Sequence, residues 1–90
     1  MGKLSEDQVQ KRLASLRGWQ LRDDRIWKQY PCGGFAPAIA FVNRIAALAE
    51  TADHHPDILV EYDKVTLTLS SHDVGGLSER DFSLALAIDA

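Results

Sequence analysis

Val65-Thr66-Leu67-Thr68-Leu69-Ser70 alternates apolar and hydroxylated side chains without a break. Successive side chains of a strand point to opposite faces, so this segment predicts a strand with one oily face and one hydroxylated face. Ile58 to Tyr62 precedes it across Asp63-Lys64, which makes the two runs a hairpin. Upstream, Gly18-Trp19-Gln20-Leu21-Arg22 and Ile26-Trp27-Lys28-Gln29-Tyr30 flank Asp23-Asp24-Arg25 and read as another hairpin. Pro31 and Gly33-Gly34 end its second run, because proline donates no ladder hydrogen bond.

Helices fill the remaining segments. Ser5 and Gln8 have the spacing of a capping box, Leu4 and Val9 that of its hydrophobic staple, and Val9, Leu13 and Leu16 continue one face. The first helix is predicted over Glu6 to Arg17, stopped by Gly18. Phe35, Ile39, Val42, Ile45, Ala46 and Ala49 mark a second helix that runs to about Ala52, with Pro37 tolerated in its first turn. Pro56 disfavours helix at His55, so Asp53-His54-His55-Pro56 falls at or just past the helix end. Gly75-Gly76 is a loop; Ser78 and Asp81 then cap a third helix running to about Asp89, with Leu77 and Phe82 as its staple. The order α-β-β-α-β-β-α predicts an α+β fold, a four-stranded antiparallel sheet with helices packed on one face.

Ninety residues predict a single domain over 1–90, burying roughly 60–65% of the surface its unfolded chain exposes. The 46% apolar and 26% charged residues are ordinary for a globular protein. A net charge of −3 and the lack of a Lys/Arg run argue against direct nucleic-acid binding. The longest apolar candidate, Ala36 to Ala49, is broken by Asn43 and Arg44 and falls short of the roughly 20 residues of a membrane span. One cysteine, Cys32, allows no internal disulfide, and the N-terminal stretch lacks a secretory pattern, so the expected compartment is the cytoplasm.

The residues that can carry chemistry cluster. All three histidines lie in Asp53-His54-His55-Pro56 and Ser70-Ser71-His72-Asp73, each at the end of a predicted element. Histidine exchanges protons near neutral pH, and a neighbour such as Asp53 can orient it. Adjacent residues in extended chain point apart, so His54 and His55 are expected to do different jobs. The plainer reading is a set of solvated or structural histidines. Zinc is a sharper rival, with His54, His55, His72 and Cys32 as ligands, but the adjacent pair lacks zinc-motif spacing and Cys32 has no partner thiol. Glu50, one turn before the pair, reads as a polar pocket wall or a solvated helix-end charge; Trp19 and Trp27 read as stacking platforms or core. Gly75-Gly76 has neither a following Lys-Ser/Thr nor a GxGxxG pattern and reads as a turn.

Taken together, Ala49-Glu50, Asp53-His54-His55-Pro56-Asp57, Tyr62-Asp63-Lys64-Val65, Leu67-Thr68-Leu69, Ser71-His72 and Gly76-Leu77-Ser78-Glu79-Arg80-Asp81 resemble the pterin-4a-carbinolamine dehydratase family. The likeness extends to Gly18-Trp19 and to Phe35, Ala38 and Phe41, and so covers most of the chain. It implies dehydration of 4a-hydroxytetrahydrobiopterin, or a related pterin, to quinonoid dihydropterin, in pterin recycling and without metal or organic cofactor. It implies His54, His55 and His72 as catalytic residues, and Glu50, Asp53, Pro56, Trp19, Ser71 and Asp81 as residues around the pterin. Elimination needs an acid and a base on opposite sides of the leaving bond. His54 and His72 are expected in those roles, with His55 and Glu50 orienting the ring.

Two departures stand out: Ser71 where many members have Thr, which keeps the hydroxyl, and Ile58 where some have Trp, which alters the pocket. The resemblance also implies a homodimer or homotetramer. It leaves a second function class, a dimerisation cofactor of a transcription regulator, which has no chemical need for the complete histidine set.

Overall fold

The structure, a computed structural model, describes residues 2–90. Its elements are α1 (Glu6–Ala14), β1 (Gln20–Arg22), β2 (Arg25–Pro31), α2 (Phe35–Ala52), β3 (Asp57–Glu61), β4 (Lys64–Leu69), a short 3₁₀ turn (His72–Val74) and α3 (Glu79–Asp89). The strands form one sheet in the order β1-β2-β4-β3, every neighbouring pair antiparallel. This is the expected α+β fold and element order.

The alternation in β4 sets the layers. Val65, Leu67 and Leu69 are fully buried and meet Ile26 of β2, Ala38 and Ile45 of α2, and Phe82, Leu84, Ala85 and Ile88 of α3 in one core. Each fully buried leucine or isoleucine there contributes on the order of 1.5–3 kcal/mol. Ala38, fully buried, lets α2 approach closely. Thr66 and Thr68 face the other way, beside Gln29 and Trp27 in register, and Gln29 Nε2 donates to Thr66 Oγ1 at 3.3 Å.

Several boundaries differ from expectation. Helix α1 stops at Ala14 rather than Arg17: the Ser15 and Leu16 amides bond Arg12 and Leu13 three residues back, and Ser15 Oγ also donates to the Arg12 carbonyl at 2.7 Å. Such i−3 bonds tighten a last turn, and Gly18 at φ 78° then reverses the chain. The second hairpin turns on Tyr62-Asp63, not Asp63-Lys64, because Glu61 and Lys64 pair as the last opposed residues. Tyr62 takes the left-handed conformation at φ 53°, and the Asp63 carbonyl is held by the Cys32 amide at 2.7 Å. Correspondingly β3 begins at Asp57, and β4 ends at Leu69 with Ser70 outside it.

Candidate active site

The end of α2 delivers the first histidine pair. Asp53 adopts φ 50°, its amide bonds the Glu50 carbonyl at 3.2 Å, and the His54 amide bonds the Ala49 carbonyl at 3.1 Å. These two bonds make a Schellman stop, with aspartate in the left-handed place that glycine usually takes. Asp53 was expected beside the pterin; the structure gives it this backbone role, on an exposed position. The stop turns His54 inward and leaves His55 outside, followed by half-buried Pro56.

His54 is 8% exposed, and its Nε2 lies 2.6 Å from Oδ1 of Asp81, which is wholly buried. The other carboxylate oxygen, Oδ2, accepts from Ser71 Oγ at 2.8 Å and from the Ser78 amide at 3.0 Å. Ser71 Oγ lies 2.7 Å from Ser78 Oγ, which in turn accepts from Arg80 Nε at 3.2 Å. A hydroxyl has one proton, so Ser71 spends its own on Asp81 and accepts the proton of Ser78. Every hydrogen in the chain therefore points toward the carboxylate, each bond polarising the next. With Asp81 surrounded by donors, His54 presents Nε2–H to it and keeps its lone pair on Nδ1.

Asp81 joins two tasks. As the third residue of α3 it accepts the Ser78 amide, half of the predicted capping box, and it also anchors His54 twenty-seven residues away in sequence. Ser71, its third partner, immediately precedes His72. Thus one buried carboxylate ties the loop carrying His54 to the loop carrying His72. Beside His72, the Asp73 carboxyl is held below the usual range, chiefly by the hydrogen bond from Arg80.

His72 is exposed and opens the 3₁₀ turn, which is closed by the Ser71–Gly76 bridge and by Gly75 at φ 70°. It lines a cavity of about 680 Å³ on the hydroxylated face of the sheet, together with Ser71, Ser70, Thr68 and Trp27. His55 Nε2 lies 2.6 Å from Glu50 Oε2, but here both side chains are in water, 56% and 77% exposed.

Trp19 is not brought to the histidines. It is 5% exposed in the core, sits edge-on to Tyr30, and donates Nε1–H to Asp89 Oδ2 at 2.8 Å. Asp89 stands eight residues beyond Asp81, about 12 Å along α3. Tyr30 Oη and Lys28 Nζ also donate to Asp89, at 2.6 and 3.0 Å. Burial works against its charge, but bonds from Tyr30, Trp19 and Lys28 together outweigh that and hold the carboxyl below the usual range. Burial, then the bond to Asp89, pushes the Tyr30 phenol well above its ordinary value.

One residue of this network escaped sequence reading, and of the two tryptophans weighed as stacking platforms the resemblance favoured the one the structure puts in the core. Ser78 read as a helix cap alone, since nothing in one dimension says that Ser71 and His54 converge on it. Trp27, rather than Trp19, reaches the cavity; the parity of β2, with Ile26 buried, carried that signal. Cys32, weighed as a zinc ligand, is half-buried with Sγ 3.6 Å from the Tyr30 carbonyl. Among the described residues, no three His, Cys, Asp or Glu side chains are grouped to hold a metal ion.

Known proteins of one family resemble this chain over nearly its whole length. The family profile described as "Pterin 4 alpha carbinolamine dehydratase" matches residues 2–90. A protein of Chloroflexus aurantiacus, provisionally named pterin-4-alpha-carbinolamine dehydratase, is 47% identical over 89 residues, covering 99% of this chain and 96% of its own. A protein of the same provisional name from Acidobacterium capsulatum is 46% identical over 100% and 98% of the two chains. Among solved structures, a transcriptional coactivator/pterin dehydratase from Brucella melitensis superposes with a TM-score of 0.92 at 31% identity, over 98% and 96% of the chains. A pterin dehydratase-like protein identified as a RuBisCO assembly factor in the alpha-carboxysome superposes less closely, with TM-score 0.63 and 28% identity over 79% and 82%. The chain belongs to the pterin-4-alpha-carbinolamine dehydratase family.

Proposed function

We propose that this chain, acting as one domain, removes water from 4a-hydroxytetrahydrobiopterin or a closely related 4a-hydroxytetrahydropterin, giving the quinonoid dihydropterin of tetrahydrobiopterin recycling. The reading rests on one observation: hydrogen bonds through Asp81 and Ser71 tie His54 to the loop of His72, at the edge of an open cavity. In the reaction the C4a–O bond breaks, the N5–H proton leaves, and its electron pair forms the C4a=N5 double bond. The departing hydroxide takes a proton and becomes water. Two proton transfers and no net oxidation are needed, which matches a pair of imidazoles working over hydrogen-bond distances.

His54 takes the part of base, because Asp81 holds its Nε2–H and leaves Nδ1 to receive a proton. The same carboxylate then stabilises the imidazolium. His72, in contact with solvent, takes the part of acid and is reprotonated from water. Asp81, wholly buried, acts through His54, while Ser71 both lines the cavity and donates to Asp81. Glu50 accepts from ring N–H donors and His55 holds Glu50 in place, so these two supply geometry. The purified protein should accelerate appearance of quinonoid absorbance from 4a-hydroxytetrahydropterin; a folded protein that leaves the background rate unchanged overturns the assignment.

The second reading, a protein-interaction module, draws on apolar surface and on the names of the two structural neighbours. Phe35 and Ile39 on one face of α2 are 54% and 37% exposed, and Leu59 on the edge strand β3 is 54% exposed. We assign these surfaces to a homodimer or homotetramer. Light scattering that gives only monomer mass, together with background dehydration, would shift the reading to a partner protein.

A further inference from the structure

The cavity beside His72 is larger than proton transfer at one bond requires, and its chemistry changes along its length. At the histidine end lie Ser70 and the hydroxyl of Thr68, opposed in register to Trp27, which is half-buried on this face. Two residues along β2 from Trp27, about 7 Å away, comes Arg25, and Arg22 is its direct cross-strand partner on β1. Both arginines line the cavity. Continuing the β2–β4 register by one pair beyond Ile26–Leu69 sets Arg25 beside Ser70.

Like charges directly opposed across an antiparallel pair repel. Asp23 and Asp24 of the intervening turn also line the cavity, yet among the described residues no salt bridge joins them to Arg22 or Arg25. The two guanidinium groups are thus uncommitted, on one face, at the far end of a trough with an aromatic and hydroxylated floor. Arginine forks match phosphate and carboxylate oxygens bidentately.

We propose that this trough is a subsite for the side chain of the pterin and selects side chains that end in an anion, a phosphate or carboxylate. The proposal rests on the dehydratase reading, since it is a ring held beside His72, which borders the trough, that directs the side chain over Trp27. Hydroxyls along the chain meet Thr68 and Ser70, and the anionic end meets Arg22 and Arg25. It makes this hairpin the specificity element of the enzyme, apart from the groups that move protons.

The test uses two oxidised, unreactive probes, 6-hydroxymethylpterin and its monophosphate, titrated by pterin fluorescence against wild type, R22Q/R25Q and R25E at low ionic strength. Wild type should bind the phosphate at least about ten-fold more tightly, a preference that added salt weakens. R22Q/R25Q should bind both probes alike, with neutral-probe affinity unchanged, and R25E should favour the neutral probe. Equal affinities in wild type, or a preference that survives in R22Q/R25Q, overturns the subsite. Turnover of a neutral 4a-hydroxypterin is measured in parallel: turnover without phosphate preference sinks this inference alone, whereas neither binding nor turnover sinks the dehydratase reading and the subsite with it.

Discussion

Two histidine–carboxylate pairs stand a few residues apart with the same 2.6 Å contact, and they are physically different objects. His54–Asp81 is enclosed, and its carboxylate is held by two further donors; His55–Glu50 lies in water, and among the described residues neither side chain makes another hydrogen bond. Solvent competes for an exposed ion pair and screens it, so such a pair adds little to stability and leaves both groups free to meet a ligand. A buried pair costs desolvation and is tolerated only with its hydrogen bonds complete. In the proposed function the difference separates two tasks, proton transfer for the buried pair and substrate alignment for the exposed one.

The sharpest way to break this contrast is at Asp81. Asp81→Ala strips the partners from His54, Ser71 and the Ser78 amide together, and should cost about 3–5 kcal/mol in urea unfolding; a loss below 1 kcal/mol would mean that the network is not under tension with the fold. His72→Ala should leave the unfolding midpoint in place and lower kcat by roughly 10²-fold or more, the usual scale of one acid–base group. Ser78→Ala, which removes the hydroxyl that caps α3 and donates to Ser71 but keeps the Ser78 amide on Asp81, should cost about 1 kcal/mol. Its effect on kcat should exceed its effect on KM, since Ser78 works through His54.

The far end of α3 gives a pH-dependent counterpart. The folded Asp89 carboxyl lies below its unfolded value, so its contribution is present above the ordinary aspartate pKa of about 4 and is lost as pH falls through the lower folded value. Wild type should therefore lose more stability than Asp89→Asn on acidification from pH 5 to pH 3; parallel acid unfolding curves would contradict this. Smallest of all, Glu50→Ala should alter stability by no more than about 0.5 kcal/mol while raising KM.

Much of the architecture was legible in one dimension because it depends on local periodicity. The Val65–Ser70 alternation, the Ser5–Gln8 box and the apolar face of α2 each report their element directly. Turns were less legible: Asp23 and Tyr62 take left-handed φ without the glycine or asparagine that would mark them. For the candidate site, residue types and clustering pointed to His54, His55 and His72 and raised Glu50, and the family likeness added Asp81. What sequence could not convey was burial. Asp53 and Asp81 look equivalent as acids near the histidines, yet one terminates a helix in solvent and the other is sealed beneath His54. Likewise Trp19 and Trp27 are separated only by which face of the hairpin each occupies.

The most direct test of the division between the two pairs is a steady-state comparison of His54→Ala and Glu50→Ala in dehydration of 4a-hydroxytetrahydropterin, with kcat and KM resolved for each. The account predicts a kcat lowered roughly 10²–10⁴-fold with KM little changed for His54→Ala, and a raised KM with kcat largely kept for Glu50→Ala. The reverse pattern, or a His54→Ala protein that is folded and fully active, would contradict it.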